Sequence, residues 1–317
     1  MLTTNRTSHF SRKYSFLYLP VFFSLVAATA WAQSEERFYV GAEIGALRSP
    51  AVTVIGDSND RSSLCDEFIN PLYASIPGCT AANRGEGDNY QVPFDGTAGT
   101  LANAFIGYQI FPHLHAELEY VTRTSNYGQR SGVRSAQGVN FDKLSDEISL
   151  AEEWLGTVTS RGLMANVYWS PSFADYISIR PYAGVGIGFG STRVGYGSVW
   201  SRSTSPDDIA TGSDQSNADD IARNLAGTAS SAHDTMKDTQ LTYQFLLGFS
   251  YPVRRSVSID VRARWMVFQE FKGIIVWDPL RSHVPNIRKD GSEPVHGAMS
   301  TDDLSFLGIS IGMKHHF

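Results

Sequence analysis

From Leu304 to the terminal Phe317 the chain alternates between two kinds of residue. Leu307, Ile309, Ile311, Met313 and Phe317 fall on one face, and Gly308, Ser310, Gly312, Lys314 and His316 on the other. This run is about twice the length of an ordinary strand of ~5–6 residues. A strand crossing a bilayer at a tilt needs about 9–11 residues. The small, polar partner face argues against a buried soluble core. The same two-residue period recurs at Arg37–Leu47, Leu101–Ile110, Leu114–Arg123, Val158–Trp169, Ile177–Gly190, Gln240–Tyr251 and Val257–Val267, and the last of these extends through Phe271 toward Trp277.

Eight strands emerge, and the connections between them alternate long and short. Phe111-Pro112-His113, Pro171 and Pro252-Val253-Arg254 mark the short ones. Polar segments near 48–98, 125–156, 191–238 and before the closing strand are the long ones. Within 142–155, apolar residues at helical spacing predict a short amphipathic helix, whereas a helix over Asp219–Ala226 is expected to be marginal on its own. Each strand sets an apolar face against a polar or small one, as when one side meets lipid and the other a polar lumen. Tyr108, Tyr120, Trp169, Tyr251 and Trp265 sit toward strand ends on the apolar faces, where an interfacial girdle belongs. Gly184, Gly186, Gly188 and Gly190 have the wrong spacing for a phosphate-binding loop and no helix after them; they instead clear one strand face inside a narrow barrel. The expected fold is an all-β, eight-stranded antiparallel transmembrane β-barrel with four long extracellular loops and short periplasmic turns. A soluble lipocalin-like barrel would turn its apolar face inward and expose a more Lys-rich outer face.

The N-terminus adds an address. Arg6, Arg12 and Lys13 precede an apolar run that ends at Ala30-Trp31-Ala32, the pattern of a secretory signal. Residues 1–32 are therefore expected to be removed and 33–317 to form the barrel domain. Removing three of the 26 basic residues and none of the 32 acidic ones leaves a formal charge of −9, unsuited to holding nucleic acid by phosphate neutralisation. No long apolar run follows the signal, so no helical membrane span is expected. Cys65 and Cys79 are the only cysteines. In an exported chain this pair reads as a disulfide, contributing ~3 kcal/mol in the chain-entropy model.

FYVGAEIGAL at the mature start, AFIGYQIFPHLHAELEY, PYAGVGIGFG and the terminal Phe317 resemble the small outer-membrane β-barrel proteins of Gram-negative bacteria, the OmpA-transmembrane-domain-like, opacity-protein and surface-antigen group. The resemblance implies an outer-membrane location reached through the Sec pathway, contact with outer-membrane lipid and lipopolysaccharide, and a C-terminal Phe317 read by the barrel-assembly machinery. It identifies fold better than activity. No peptidoglycan-binding domain follows Phe317 in this sequence, so a cell-wall tether is not implied.

The inward-facing positions carry the acids Glu43, Glu117, Glu119 and Asp260 and the bases Arg123, Arg180, Arg262 and Arg264. An eight-stranded barrel has an interior that side chains just fill, and buried charges need partners. These eight residues are thus expected to form an ion-pair network that plugs the lumen. A narrow channel is the alternative. A lipid-modifying enzyme is a further one, but the mature chain has no His-x-Ser; His9-Phe10-Ser11 lies in the signal. His113 and His115 lie near a turn, and His315 and His316 point opposite ways. No catalytic residue, metal or cofactor is expected. Function then falls to the loops, for adhesion, host or partner contact, or envelope integrity.

Overall fold

The computed structural model describes residues 37–58, 63–76, 79, 89–171, 179–276 and 296–317. The signal region 1–32 and Trp277 lie outside the described residues. Thirteen strands follow in order: β1 Phe38–Ser49, β2 Val52–Ser58, β3 Tyr90–Phe94, β4 Thr97–Phe111, β5 Leu114–Gly132, β6 Arg134–Ser135, β7 Ile148–Trp169, β8 Arg180–Arg202, β9 Ala229–Arg254, β10 Val257–Phe268, β11 Lys272–Val276, β12 His296–Thr301 and β13 Leu304–His316. A single α-helix among the described residues, α1, spans Ala218–Leu225.

Eight of these strands close into one antiparallel barrel, in the order β1-β13-β10-β9-β8-β7-β5-β4. The closing strand β13 pairs on one side with β1, Ala42 opposite Met313, and on the other with β10, Arg262 opposite Ser310. Their outer faces carry exposed Ile44, Ile106, Leu118, Val185, Leu247, Ile309 and many similar side chains. Inward stand Glu43, Glu119, Asn166, Gln244 and Arg262, all buried. In water this arrangement would be inside out. In a bilayer it satisfies every constraint, since a closed barrel leaves no unpaired strand edge in the hydrocarbon.

The strands differ in height. β1, β10 and β13 have 12, 12 and 13 residues, close to the length that spans. β5, β7, β8 and β9 have 19, 22, 23 and 26 and continue past the apolar belt as four tall walls. Segments read from sequence as polar loops supply a second sheet, in the order β11-β12-β2-β3-β6. It packs against the tall walls around an apolar core that includes Val54, Val92, Phe94, Tyr196, Ile275 and Met299.

Two sequence expectations are corrected here. Residues 148–155 are strand, not helix: Ala151, Glu153 and Leu155 turn inward as β7 pairs with β5 and β8, and only Phe141–Lys143 makes a single 3-10 turn. Cross-strand pairing on both sides outweighs the weak helical spacing. The helix over 218–225 does form, because Ile221 and Leu225 are wholly buried against Ile69 and Ile209; tertiary packing supplies what an isolated eight-residue helix lacks. The Cys65–Cys79 disulfide closes the segment that carries Ile69. Asn217 and Asn224 tie α1 to that segment through Asn70 and the Ile69 carbonyl, both at 2.9 Å. A third difference is smaller: β10 ends at Phe268 and the chain then re-enters the second sheet as β11.

Candidate functional site

Parity on neighbouring strands aims the lumen charges at one layer. Arg262 and Arg264 of β10 are the largest fully buried side chains, at 0% and 2% exposure. Arg262 reaches Glu43 at 3.3 Å, Glu117 at 3.2 Å, Asp260 at 3.6 Å and Glu119 at 3.8 Å. Arg264 bridges Glu119 at 2.8 Å and Glu43 at 3.2 Å. Lys314 of β13 completes the set, 2.8 Å from Asp260 and 3.8 Å from Glu117. Neutral donors add to the ion pairs, although Glu43 Oε1, Glu117 Oε2 and Asp260 Oδ1 accept no hydrogen bond and meet only the cations. Tyr39 donates to Glu117 at 3.0 Å, Tyr182 to Asp260 at 2.5 Å and Ser310 to Glu43 at 2.7 Å. Asn103, Asn166 and Gln244 donate to Glu119.

Glycine makes room for this layer. A Cβ on Gly312 would lie 2.0 Å from the Ala42 carbonyl and 2.7 Å from Glu43. On Gly186 it would strike the Asn166 amide that serves Glu119, at 2.0 Å. The bare glycine face seen in the sequence is thus the space the network occupies.

Six of the eight charged residues expected in the lumen meet there. Arg123 and Arg180 do not. Arg180 lies at the short-turn end of β8 and is exposed to solvent. Arg123 faces inward but higher, its guanidinium between the rings of Phe268 and Phe306 at 3.7 and 3.6 Å. Between it and the acids lies an apolar layer of Leu47, Leu101, Val121, Met164, Met266 and Phe306. Alternation assigns a face; it does not assign a height. Lys314 was on the inward face of the closing strand by the same alternation, and its charge was the signal that it belonged with the acids. Tyr39 and Tyr182 carried no comparable signal.

Tyr168, Tyr182 and Leu246 pack beside the charges, with the two rings 5.0 and 5.9 Å from the Arg262 guanidinium; above the charges come the apolar layer and then Arg123. Above Arg123 a cavity of about 40 Å³ borders Tyr127, Thr192 and Gln240. Its lining is otherwise mainly apolar, with Leu155, Val194, Met236 and Met299 among it, so it is a small packing void and no path through the barrel.

The second storey has its own buried acids. Glu147 accepts from Thr211 N–H and Oγ–H at 2.9 and 2.7 Å and from Arg202 at 3.0 Å. Burial alone would raise its pKa, but Thr211 and Arg202 outweigh burial and hold the carboxyl below its ordinary value. Glu153 accepts from Tyr196 and, at 2.9 Å, from Ser198. Here burial dominates and pushes the carboxyl up to about 8. On the outer side of this storey a groove of about 750 Å³ runs between β9 and β11, bordered by Ile55, Asp234, Lys237, Glu270, Lys272 and Ile274. Among the described residues no cluster of His, Cys, Asp and Glu is arranged to hold a metal ion.

An apolar belt outside, a paired charge layer inside and full closure define an eight-stranded transmembrane β-barrel. Solved outer-membrane barrels are similar to it. Neisserial surface protein A shares 11% identity over 88% of this chain and 97% of its own, with a TM-score of 0.36. OprG from Pseudomonas aeruginosa shares 11% over 89% and 97%, with a TM-score of 0.42. The protease OmpT from Escherichia coli shares 9% over 88% and 97%, with a TM-score of 0.35. No family model and no curated protein matches the sequence.

Proposed function

We propose that this protein is a non-conducting, non-catalytic barrel of a Gram-negative outer membrane that holds a rigid platform of loops at the cell surface for recognition. The observation that carries this reading is the filled interior. Arg262 and Arg264, each held by two or more carboxylates, occupy the axis of the barrel, and an apolar layer seals it above. The described parts of the long connections pack a core of their own and present the groove between β9 and β11. A rigid scaffold presenting shaped loops is the usual architecture of binding.

In this reading residues 1–32 direct export and are removed, and Phe317 is the residue the assembly machinery reads. Phe317 is exposed on the lipid side, with its N–H bonded to the Phe38 carbonyl at 2.9 Å. The barrel stands in lipid and lipopolysaccharide with its long connections outward, toward a host or surface ligand. Planar-bilayer recordings of the purified chain are expected to show no steady open channel; robust conductance overturns the plugged reading. Recognition is tested by Ile274→Asp with Lys272→Glu in the groove, which leaves the packed sheet intact. Reduced binding to host cells or matrix is expected, and unchanged binding removes the groove from the proposal.

A further inference from the structure

Where β7, β8 and β9 leave the apolar belt, three cations stand together on the outside wall. Arg193 of β8 is the direct cross-strand partner of Lys237 of β9. Arg161 of β7 is opposite Ser191, and so lies on the diagonal from Arg193. All three are exposed. Directly opposite residues in an antiparallel pair have Cβ atoms about 4.5–5.5 Å apart and diagonal ones about 7–8 Å, and like charges so placed repel. None of the three has an ion-pair partner among the described residues. The nearest acid in sequence, Asp238, is engaged by the N–H groups of Thr239 and Lys272 at 2.7 and 2.9 Å.

The position of the trio restricts what can neutralise it. One step below, the same strands carry lipid-facing Leu163 and Phe189, paired with each other. On the β10–β13 side of the mouth the exposed charges near this height are Glu270, paired with Lys272 at 3.0 Å, and Asp302 and Asp303. The basic cluster is therefore local to one wall and lies at the hydrocarbon boundary, where headgroups are. Arg binds phosphate with two parallel N–H donors and Lys as a point charge, and clustered basic residues at a membrane surface read as anionic-lipid sites.

We propose that Arg161, Arg193 and Lys237 form a binding site for the phosphate-bearing headgroup of an outer-leaflet lipid. The site seats one such lipid against the β7–β9 wall, with its acyl chains over Leu163 and Phe189. The proposal rests on the reading that the barrel spans a membrane with its long connections in the outer leaflet.

The test uses the full chain folded in neutral detergent and diphosphoryl lipid A as the probe, read by native mass spectrometry. Wild type is expected to retain the lipid one to one, and Arg161→Gln/Arg193→Gln/Lys237→Gln to retain it about tenfold less well. Arg48→Gln, on the distant β1 wall, is expected to match wild type. Equal retention by the triple variant overturns the site, as does equal retention of lipid A stripped of its phosphates. Inorganic phosphate displacing the lipid at millimolar concentration overturns the lipid assignment in favour of a plain anion site. Heat-modifiable migration in vesicles is scored on the same samples. A wild-type chain that lacks it refutes the spanning reading, whereas a chain that keeps it but ignores the phosphates refutes only this inference. If the triple variant does not fold, Arg193→Gln alone is expected to lose affinity, and an unchanged value overturns the site.

Discussion

The two storeys of this molecule are built from the same strands with opposite polarity. On the lower part of β9, Phe245, Leu247 and Phe249 face out and Gln240, Thr242 and Gln244 face in. On its upper part His233, Thr235 and Lys237 face out while Ala232 and Met236 join an apolar core. Along β9 the pairing with β8 runs unbroken across that boundary, and what changes is the medium outside it. Below, lipid takes the apolar side chains and the charges are left to pair with one another. Above, water takes the polar ones and the core reverts to that of a soluble sheet packing. The interior of the lower storey is therefore held by ion pairs and that of the upper by burial, and the two should fail in different ways.

The largest expected effect is in the lower storey. Arg262→Met leaves Glu43, Glu117 and Asp260 short of their common partner, and stripping one member from a buried ion network costs about 3–5 kcal/mol. A lower urea midpoint in vesicles and loss of the heat-resistant folded band are expected. An unchanged midpoint means that the charges are hydrated through the lumen and that the barrel is not plugged. In the upper storey the matching test is Ile275→Ala, at a fully buried site in the second sheet. Large-to-small changes there cost about 2–5 kcal/mol, but the loss should be confined. Hydrogen exchange is expected to rise in β2, β3, β11 and β12 while the urea midpoint of the barrel stays put. Loss of the barrel in that variant shows one cooperative unit instead of two.

The same contrast explains what could be read from the sequence. The lower storey was legible because lipid on one side and charge on the other make every strand alternate strongly, and the outward face of Ile311 and the inward face of Glu43 follow from that alternation. The upper storey was not. β2, β3, β11 and β12 are five to seven residues each, separated by polar stretches, and their apolar positions make sense only once four distant segments are side by side. At the junction, irregularities at Asn126/Gln129 and Leu155/Val158 add a residue to one strand of each pair. Below the second of these the even-numbered residues of β7 face inward, Ser160 and Met164 among them; above it the odd ones do, Ala151 to Leu155. Extending the alternation of 158–169 backward would have placed Trp154 inside and Glu153 outside. Arg123 and Arg180 failed for another reason: both keep the expected parity, but Arg123 lies above the charge layer and Arg180 at the exposed turn end, and a strand's height in the barrel depends on stagger between strands that no single segment encodes.

The smallest effect is the one that separates the storeys by pH. Glu153 is held by Tyr196 and Ser198 inside an otherwise apolar core, and burial raises its carboxyl to about 8 against an ordinary value near 4.5. When the upper storey opens, Glu153 regains its ordinary pKa and ionises in water. Its contribution to stability is thus complete below that ordinary value and is lost as pH rises toward 8, beyond which no further change is due to this group. Glu147, held below its ordinary pKa, acts at the other end: its contribution is present at neutral pH and is lost as acid protonates it. Between pH 5 and 8 the wild-type upper storey is expected to lose stability steadily through Glu153. Glu153→Gln, which keeps the shape and cannot ionise, should flatten that slope. The readout is hydrogen exchange at the Tyr196 and Ser198 amides at the two pH values, corrected for intrinsic rates, with the barrel amides near Gln244 as the internal reference. A variant that keeps the wild-type slope would mean that Glu153 is ionised in the folded chain, and the upper core would then have to contain water.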